Sequence, residues 1–213
     1  MKVGIKRLIG VGILAIGLTS AKAITSVAGI NFQDNAFADS VISSSGTYTL
    51  TGAATLQDAV TGSSLTHFAY SFSSGAYIQA GFTDNYLVNG AGNDLALFEY
   101  GTPDSFGVSL TIGGVTHTYL TVATGFSALF GNLSYGINVT QINLDDFGIA
   151  AGTQLSSIVI AMDTESGTGT VPSLGVIGAL NSAATVPSVP DAGSTISLLG
   201  MALLGLGALK RKL

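Results

Sequence analysis

The sequence predicts an all-β chain: a single β-sandwich or jelly-roll domain, flanked by an N-terminal signal helix and a short C-terminal apolar helix. Three observations carry this reading. Short runs of alternating apolar residues recur through the middle of the chain. Clusters of Gly, Asn, Asp and Ser interrupt them at intervals of roughly 8 to 15 residues, the punctuation of short strands. Outside the two ends, no stretch keeps the 3.6-residue period of an amphipathic helix.

Taken in chain order, Leu56 to Val60 allow one helical turn. Phe68, Tyr70 and Phe72 alternate and predict a strand with these side chains on one face. Leu95-Ala96-Leu97-Phe98 is continuously apolar, the mark of a central strand buried on both faces. Val108, Leu110 and Ile112 alternate up to Gly113-Gly114, a hairpin turn, and Thr118, Leu120 and Val122 alternate after it. Ile137 and Val139 begin a run whose phase shifts to Ile142 and Leu144, which predicts a bulge. Ile158-Val159-Ile160 is a second run buried on both faces. No repeat of about 20 to 50 residues is visible, which argues against a propeller or solenoid. The expected organisation is a leader over 1–23, the sandwich over 24–184, a Pro-containing linker over 185–190 and a tail over 191–213.

Composition narrows the chemistry. The chain has 213 residues, 29 of them Gly, with no Cys and no Trp. Disulfides, thiolate metal sites and a Cys nucleophile are therefore excluded. Lys2, Lys6, Arg7 and Lys22 lie at one end, Lys210, Arg211 and Lys212 at the other, and no Lys or Arg lies between Ile24 and Leu209. All 12 acids fall in that base-free stretch, all but Asp191 of them before Pro190. Such a body cannot neutralise a phosphate backbone, so nucleic acid is not a partner. It has no Lys for a Schiff base or a P-loop and no Arg clamp for phosphoryl transfer.

The ends read as addresses. Lys2, Lys6 and Arg7 form a basic region, Leu8 to Leu18 an apolar one, and Ala21-Lys22-Ala23 an A-x-A cleavage site: a secretory signal peptide, removed at Ala23. At the other end, Val189, Pro190, Asp191 and Gly193 form a turn motif, followed by an apolar run from Ile196 to Leu209 and the basic cluster Lys210, Arg211, Lys212. As a helix the run rises about 21 Å against a hydrocarbon core of about 30 Å. Ser194, Thr195 and the snorkelling bases extend its reach, and the positive-inside rule keeps the basic cluster cytoplasmic.

Motif, short apolar helix and terminal basic cluster, in that order, resemble the sorting tail of bacterial exosortase substrates, the PEP-CTERM class. Val189-Pro190-Asp191-Ala192-Gly193-Ser194-Thr195 looks like the VPDSG-CTERM variant, with Ala192 in place of Ser. The resemblance covers about 25 residues at the end of the chain. It implies export across the inner membrane of a Gram-negative-type bacterium and tethering by the tail. Cutting near Pro190 and Asp191 by an exosortase follows, and then release or attachment at the surface, often alongside exopolysaccharide. The implied partners are exosortase, the export machinery, the inner membrane and exopolysaccharide. A looser resemblance, over Phe82 to Glu99 and Leu174 to Leu180, is to jelly-roll segments of such surface proteins.

Candidate chemistry in the body is sparse. Asp84, Asn85, Asn89, Asn93, Asp94 and Glu99 are oxygen-bearing and close in sequence. Ca²⁺ takes six to eight such ligands from flexible loops, so Asp84, Asn85, Asn89, Asp94 and Glu99 are the expected calcium ligands, against the plainer reading of an Asn/Gly turn. Asn89 to Asp94 resembles one copy of an RTX calcium repeat, a fold that needs stacked copies. Asp145-Asp146 and Asp163/Glu165 are further acidic pairs, and His67 and His117 a distant metal option. Tyr77, Tyr86, Tyr100 and Tyr119 are candidates to line a sugar groove, though core packing explains any one of them as well. No G-x-S-x-G elbow occurs. The expected function is a non-enzymatic surface or matrix protein; the alternatives are a calcium-assisted carbohydrate-binding module and, further off, a glycoside hydrolase with two acids across a cleft.

Overall fold

A computed structural model describes residues 23–33, 35–162 and 169–184. The expected leader up to Lys22, the linker, the tail and the Asp163/Glu165 pair lie outside the described residues.

The elements run β1 Ile24–Val27, β2 Ile30–Gln33, β3 Ser40–Ser45, β4 Thr49–Thr51, α1 Leu56–Val60, β5 Phe68–Tyr70, β6 Tyr77–Gly81, β7 Asn85–Val88 and β8 Leu95–Tyr100. They continue as β9 Ser105–Ser109, β10 His117–Leu120, β11 Val122–Phe130, β12 Leu133–Ile142, a 3-10 turn Leu144–Phe147, β13 Gln154–Leu155, β14 Ser157–Ala161, β15 Leu174–Ala179 and β16 Ser182–Ala184. The expected helical turn forms at α1, where the Thr55 hydroxyl accepts from the Asp58 amide at 3.1 Å.

A five-stranded sheet, β10-β9-β14-β6-β3, faces a six-stranded sheet, β11-β12-β8-β15-β5-β4. The all-β sandwich expected from the sequence is thus the observed class. The main core lies between the sheets: Ile78, Phe106, Val108, Ile158 and Ile160 from one, Leu95, Leu97, Ile142, Leu174 and Ile177 from the other. The six-stranded sheet is covered on its back as well. There the β1–β2 hairpin supplies Val27 and Phe32 against Ala96, Phe98, Tyr100, Ile137 and Val176. Gly178 on β15 makes that contact possible, because a Cβ there would lie 2.5 Å from the Phe32 ring. β8 is therefore the middle layer, with every residue buried. That is why its sequence reads as an unbroken apolar run rather than an alternation. A small sheet, β13-β7-β16, completes the fold.

Three expectations need correction. β12 has no bulge against β8: pairing runs unbroken from Ile137↔Tyr100 to Ile142↔Leu95. The phase change arises because Ile137 and Val139 face the rear core while Ile142 faces the main one. Leu120 and Val122 point outward, 63% and 66% exposed, because inward positions are taken by Tyr119 and Thr121. Phe72 lies beyond the end of β5 and is 68% exposed, its ring set edge-on to Tyr70 at 5.7 Å. The Gly113-Gly114 turn is as expected: it joins β9 to β10, with Gly113 at φ +73°.

Candidate functional site

The expected calcium ligands fall into three neighbourhoods rather than one. Asn89 and Asp94 belong to the loop before β8, and both side chains are fully buried. Asp94 Oδ1 accepts from the Gly90 amide and from Asn181 Nδ2, each at 2.7 Å, and Oδ2 accepts from the Leu144 amide at 2.8 Å. Asn89 Nδ2 donates to Asp145 Oδ1 and to the Ile149 carbonyl, both at 2.9 Å. Asn93 reaches Gln141 Oε1 at 3.2 Å. These polar side chains clasp the loop to the 3-10 turn and to the β15–β16 corner. Asp94 has donors on both oxygens, so its chemistry is that of a structural acceptor.

Asp84 stands elsewhere, beside Asp39. Asp39 Oδ2 accepts from the Thr83 amide at 2.9 Å, the Thr83 hydroxyl at 2.7 Å and the Asp84 amide at 3.1 Å. Burial pushes the Asp39 carboxyl up, but these donors outweigh it and hold Asp39 below the usual carboxylate range. Burial and the neighbouring Asp39 push Asp84 up. The pair lies on a depression of about 350 Å³ shared with Asn35, Thr61 and Ser63. Asn85, next in sequence, is buried with no partner for its amide oxygen or nitrogen.

Glu99 forms a third centre, on β8. It is fully buried. Its Oε2 accepts from the Asp104 amide at 3.0 Å, from the Thr121 hydroxyl and from Asn138 Nδ2 at 3.3 Å. Its Oε1 is buried without a partner. Burial is the leading influence and raises the carboxyl to about 7, against the opposing pull of those donors. Asp104 turns its own Oδ1 to the Thr170 hydroxyl at 2.7 Å.

Among the described residues, no group of three or more His, Asp or Glu is placed to hold one metal ion. His67 contacts the Ala59 carbonyl at 3.1 Å, whereas His117 packs edge-on against Phe147 at 4.8 Å. Asp146 Oδ2 accepts from the Tyr119 hydroxyl at 2.9 Å. Burial and that carboxylate push the Tyr119 phenol up.

An open cleft of about 340 Å³ lies at one end of the six-stranded sheet. Of the tyrosines expected to line a sugar groove, Tyr100 is on its wall; Tyr77, Tyr86 and Tyr119 are not. The other rings there are Phe68, Tyr70, Phe72 and Tyr135. Sequence reasoning misses this grouping because Tyr70 and Tyr135 come from strands far apart in the chain. The one available signal is the aromatic density of the Phe68–Phe72 run.

Residues 188–213 match the family model described as the VPDSG-CTERM motif. The matched segment is a PEP-CTERM-type exosortase sorting tail. It contains the expected motif residues Val189, Pro190, Asp191 and Gly193 and the basic cluster Lys210 to Lys212. Such a tail implies exosortase processing and passage toward the cell surface. The body over 24–184 lies outside the match. No curated protein and no solved structure matches the chain.

Proposed function

We propose that the chain is a non-enzymatic component of the bacterial surface or extracellular (biofilm) matrix. In this reading the N-terminal leader exports it, and the apolar tail from Ile196 to Leu209 tethers it in the inner membrane. An exosortase then cuts near Pro190 and Asp191, and the β-sandwich is displayed or released outside. The match of residues 188–213 to the sorting motif carries the proposal. Two features of the body support it. It has no Lys or Arg from Ile24 to Leu209, which leaves it without phosphate-binding or Schiff-base chemistry. Its buried carboxylates Asp94 and Glu99 are held by internal donors rather than turned to solvent.

The test is the intact mass of the protein recovered from each fraction of its host. The expected product begins near Ile24, ends near Pro190 or Asp191, and lies outside the inner membrane. Extra mass on that new C-terminus identifies covalent attachment. A full-length tail found only in the inner membrane overturns the proposal.

A second reading, calcium-assisted glycan binding, is favoured by one observation: the Asp39–Asp84 pair, which shares its depression with the oxygen-bearing Thr25, Asn35, Thr61 and Ser63 as well as with Phe37 and Ala38. Of the residues first expected to bind calcium, Asp84 is the one this reading retains.

A further inference from the structure

The cleft at the end of the six-stranded sheet combines two kinds of wall. Phe68 and Tyr100 are buried and stack on each other at 5.0 Å, 19° from parallel, so they form its floor. Tyr70 and Tyr135 are half-buried and Phe72 is exposed, leaving ring surface open to solvent. On the same walls Thr102 is exposed, and half-buried Thr170 donates its hydroxyl to buried Asp104 at 2.7 Å. The Tyr100 hydroxyl is buried without a hydrogen-bond partner, an arrangement that folded proteins rarely leave unused.

The ligand class follows from what this lining can recognise. A cleft of this volume with aromatic walls and a few polar groups suits a small ring or one unit of a polymer. There is no Lys or Arg from Ile24 to Leu209 to meet an anion, and Asp104 repels one. A purely apolar ligand would cover the exposed Thr102 hydroxyl without offering it a polar partner, which is unfavourable. A quaternary ammonium needs several ring faces turned to one point; here Phe68 and Tyr100 spend theirs on each other, and Tyr70 and Phe72 stand edge to face at 84°. What remains is a neutral ring with an apolar face and a hydroxylated rim. Its C–H bonds meet the negative faces of aromatic rings, and its hydroxyls meet Thr and Asp oxygens.

We propose that this cleft binds a pyranose unit of a neutral polysaccharide, its C–H face on the exposed ring of Phe72 with Tyr70 and Tyr135 beside it, and its hydroxyls toward Thr102 and the Asp104–Thr170 pair. Glu99, next to Asp104 but fully buried, is not on the cleft wall, so the site binds without a second carboxylate facing the ligand. The proposal deepens the surface reading and rests on it only for the polymer met outside the cell; binding itself does not require the tail to be cut.

The experiment uses the full chain in mild detergent, run through native gels containing dextran, a β-1,3-glucan, starch or mannan. Tyrosine emission, usable because the chain has no Trp, is followed in parallel with the corresponding soluble oligosaccharides. The expected result is retardation by at least one polymer, weakened at least tenfold by Phe72→Ala and by Tyr135→Ala. Phe126→Ala, which removes a ring 54% exposed on β11, leaves binding unchanged. Phe72 is exposed, so its truncation keeps the fold, and circular dichroism verifies this for every variant. Absence of retardation by all four polymers overturns the proposal, as does equal retardation of wild type and both cleft variants. A response of tyrosine emission to tetramethylammonium but to none of the sugars overturns it too, and reassigns the cleft to organic cations. Failed processing in the host would sink the sorting reading while leaving these binding results intact.

Discussion

Asp94 and Glu99 are two carboxylates at opposite ends of the same buried strand segment, and both are fully buried. Asp94 has donors on each oxygen, from Gly90, Asn181 and Leu144. Glu99 receives all its donors on Oε2 and leaves Oε1 with none. Burial is therefore common to both, and the placement of donors separates them. An acid with both oxygens served is a fixed part of the frame. In Glu99 burial prevails over the donors on its one served oxygen, and the carboxyl holds its proton up to about pH 7.

The largest expected effect is on the fully served acid. Asp94→Ala strands the Gly90 and Leu144 amides and the Asn181 amide together, and should cost about 3–5 kcal/mol of stability. Urea unfolding of the full chain in detergent measures this; a loss under about 1 kcal/mol would mean that the clasp is not what holds the loop. Asp94→Asn, which keeps one acceptor oxygen, should lose roughly half as much.

Next comes the pH dependence of Glu99. Its proton stays on in the folded state up to about 7 but leaves the unfolded chain near 4.5. The folded state therefore binds more protons in that window. Stability should fall as pH rises from about 4.5 to about 7 and level off above, by about 3 kcal/mol from this group. Thermal melts of Glu99→Gln against wild type between pH 5 and 8 isolate the contribution, since Asp39 and Asp84 titrate in both. The Gln variant should exceed wild type by more at pH 8 than at pH 5. Parallel curves would place the stranded oxygen in contact with water.

The smallest effect belongs to the pair of half-buried Asp39 and exposed Asp84. Here Asp39 takes the donors and Asp84 bears the repulsion. Asp84→Asn should stabilise the chain by less than about 1 kcal/mol, because the pair is solvent-screened, and added salt should shrink the gain. Under the calcium reading, millimolar Ca²⁺ raises the wild-type melting temperature and leaves the variant unmoved. Identical responses in calcium and in chelator would remove that reading.

Local patterns in the sequence carry the local facts of this fold. The Leu95–Phe98 run marks β8 as central, Gly113-Gly114 marks a hairpin, and Thr55 starts α1 where a helical turn is read at Leu56–Val60. What is not legible is pairing across distance. Asp84, Asp94 and Glu99 look like one cluster because they are near in sequence, yet each answers to partners from elsewhere: Asp39, Leu144 and Asn181, and Asp104, Thr121 and Asn138. A strand moves along by about 3.3 Å per residue, so close acids on an extended chain are soon far apart. The outward Leu120 and Val122 fail for a related reason. Their alternation is real, but the inward positions hold Tyr119 against the core and Thr121 on Glu99, contacts that no local pattern displays.

The layered position of β8 sets an order on the making of the molecule. Its sheet neighbours are β12 and β15, which begin at Leu133 and Leu174. As the chain is synthesised, the segment with most apolar surface to hide is finished long before either strand that flanks it. Closure waits on pairings far apart in sequence, the kind that makes folding slow and leaves apolar strands open to aggregation meanwhile. A body built this way cannot lock into shape early. During synthesis its central strand stays unpaired until β12 and β15 are made, a state in which a chain can still be passed across a membrane.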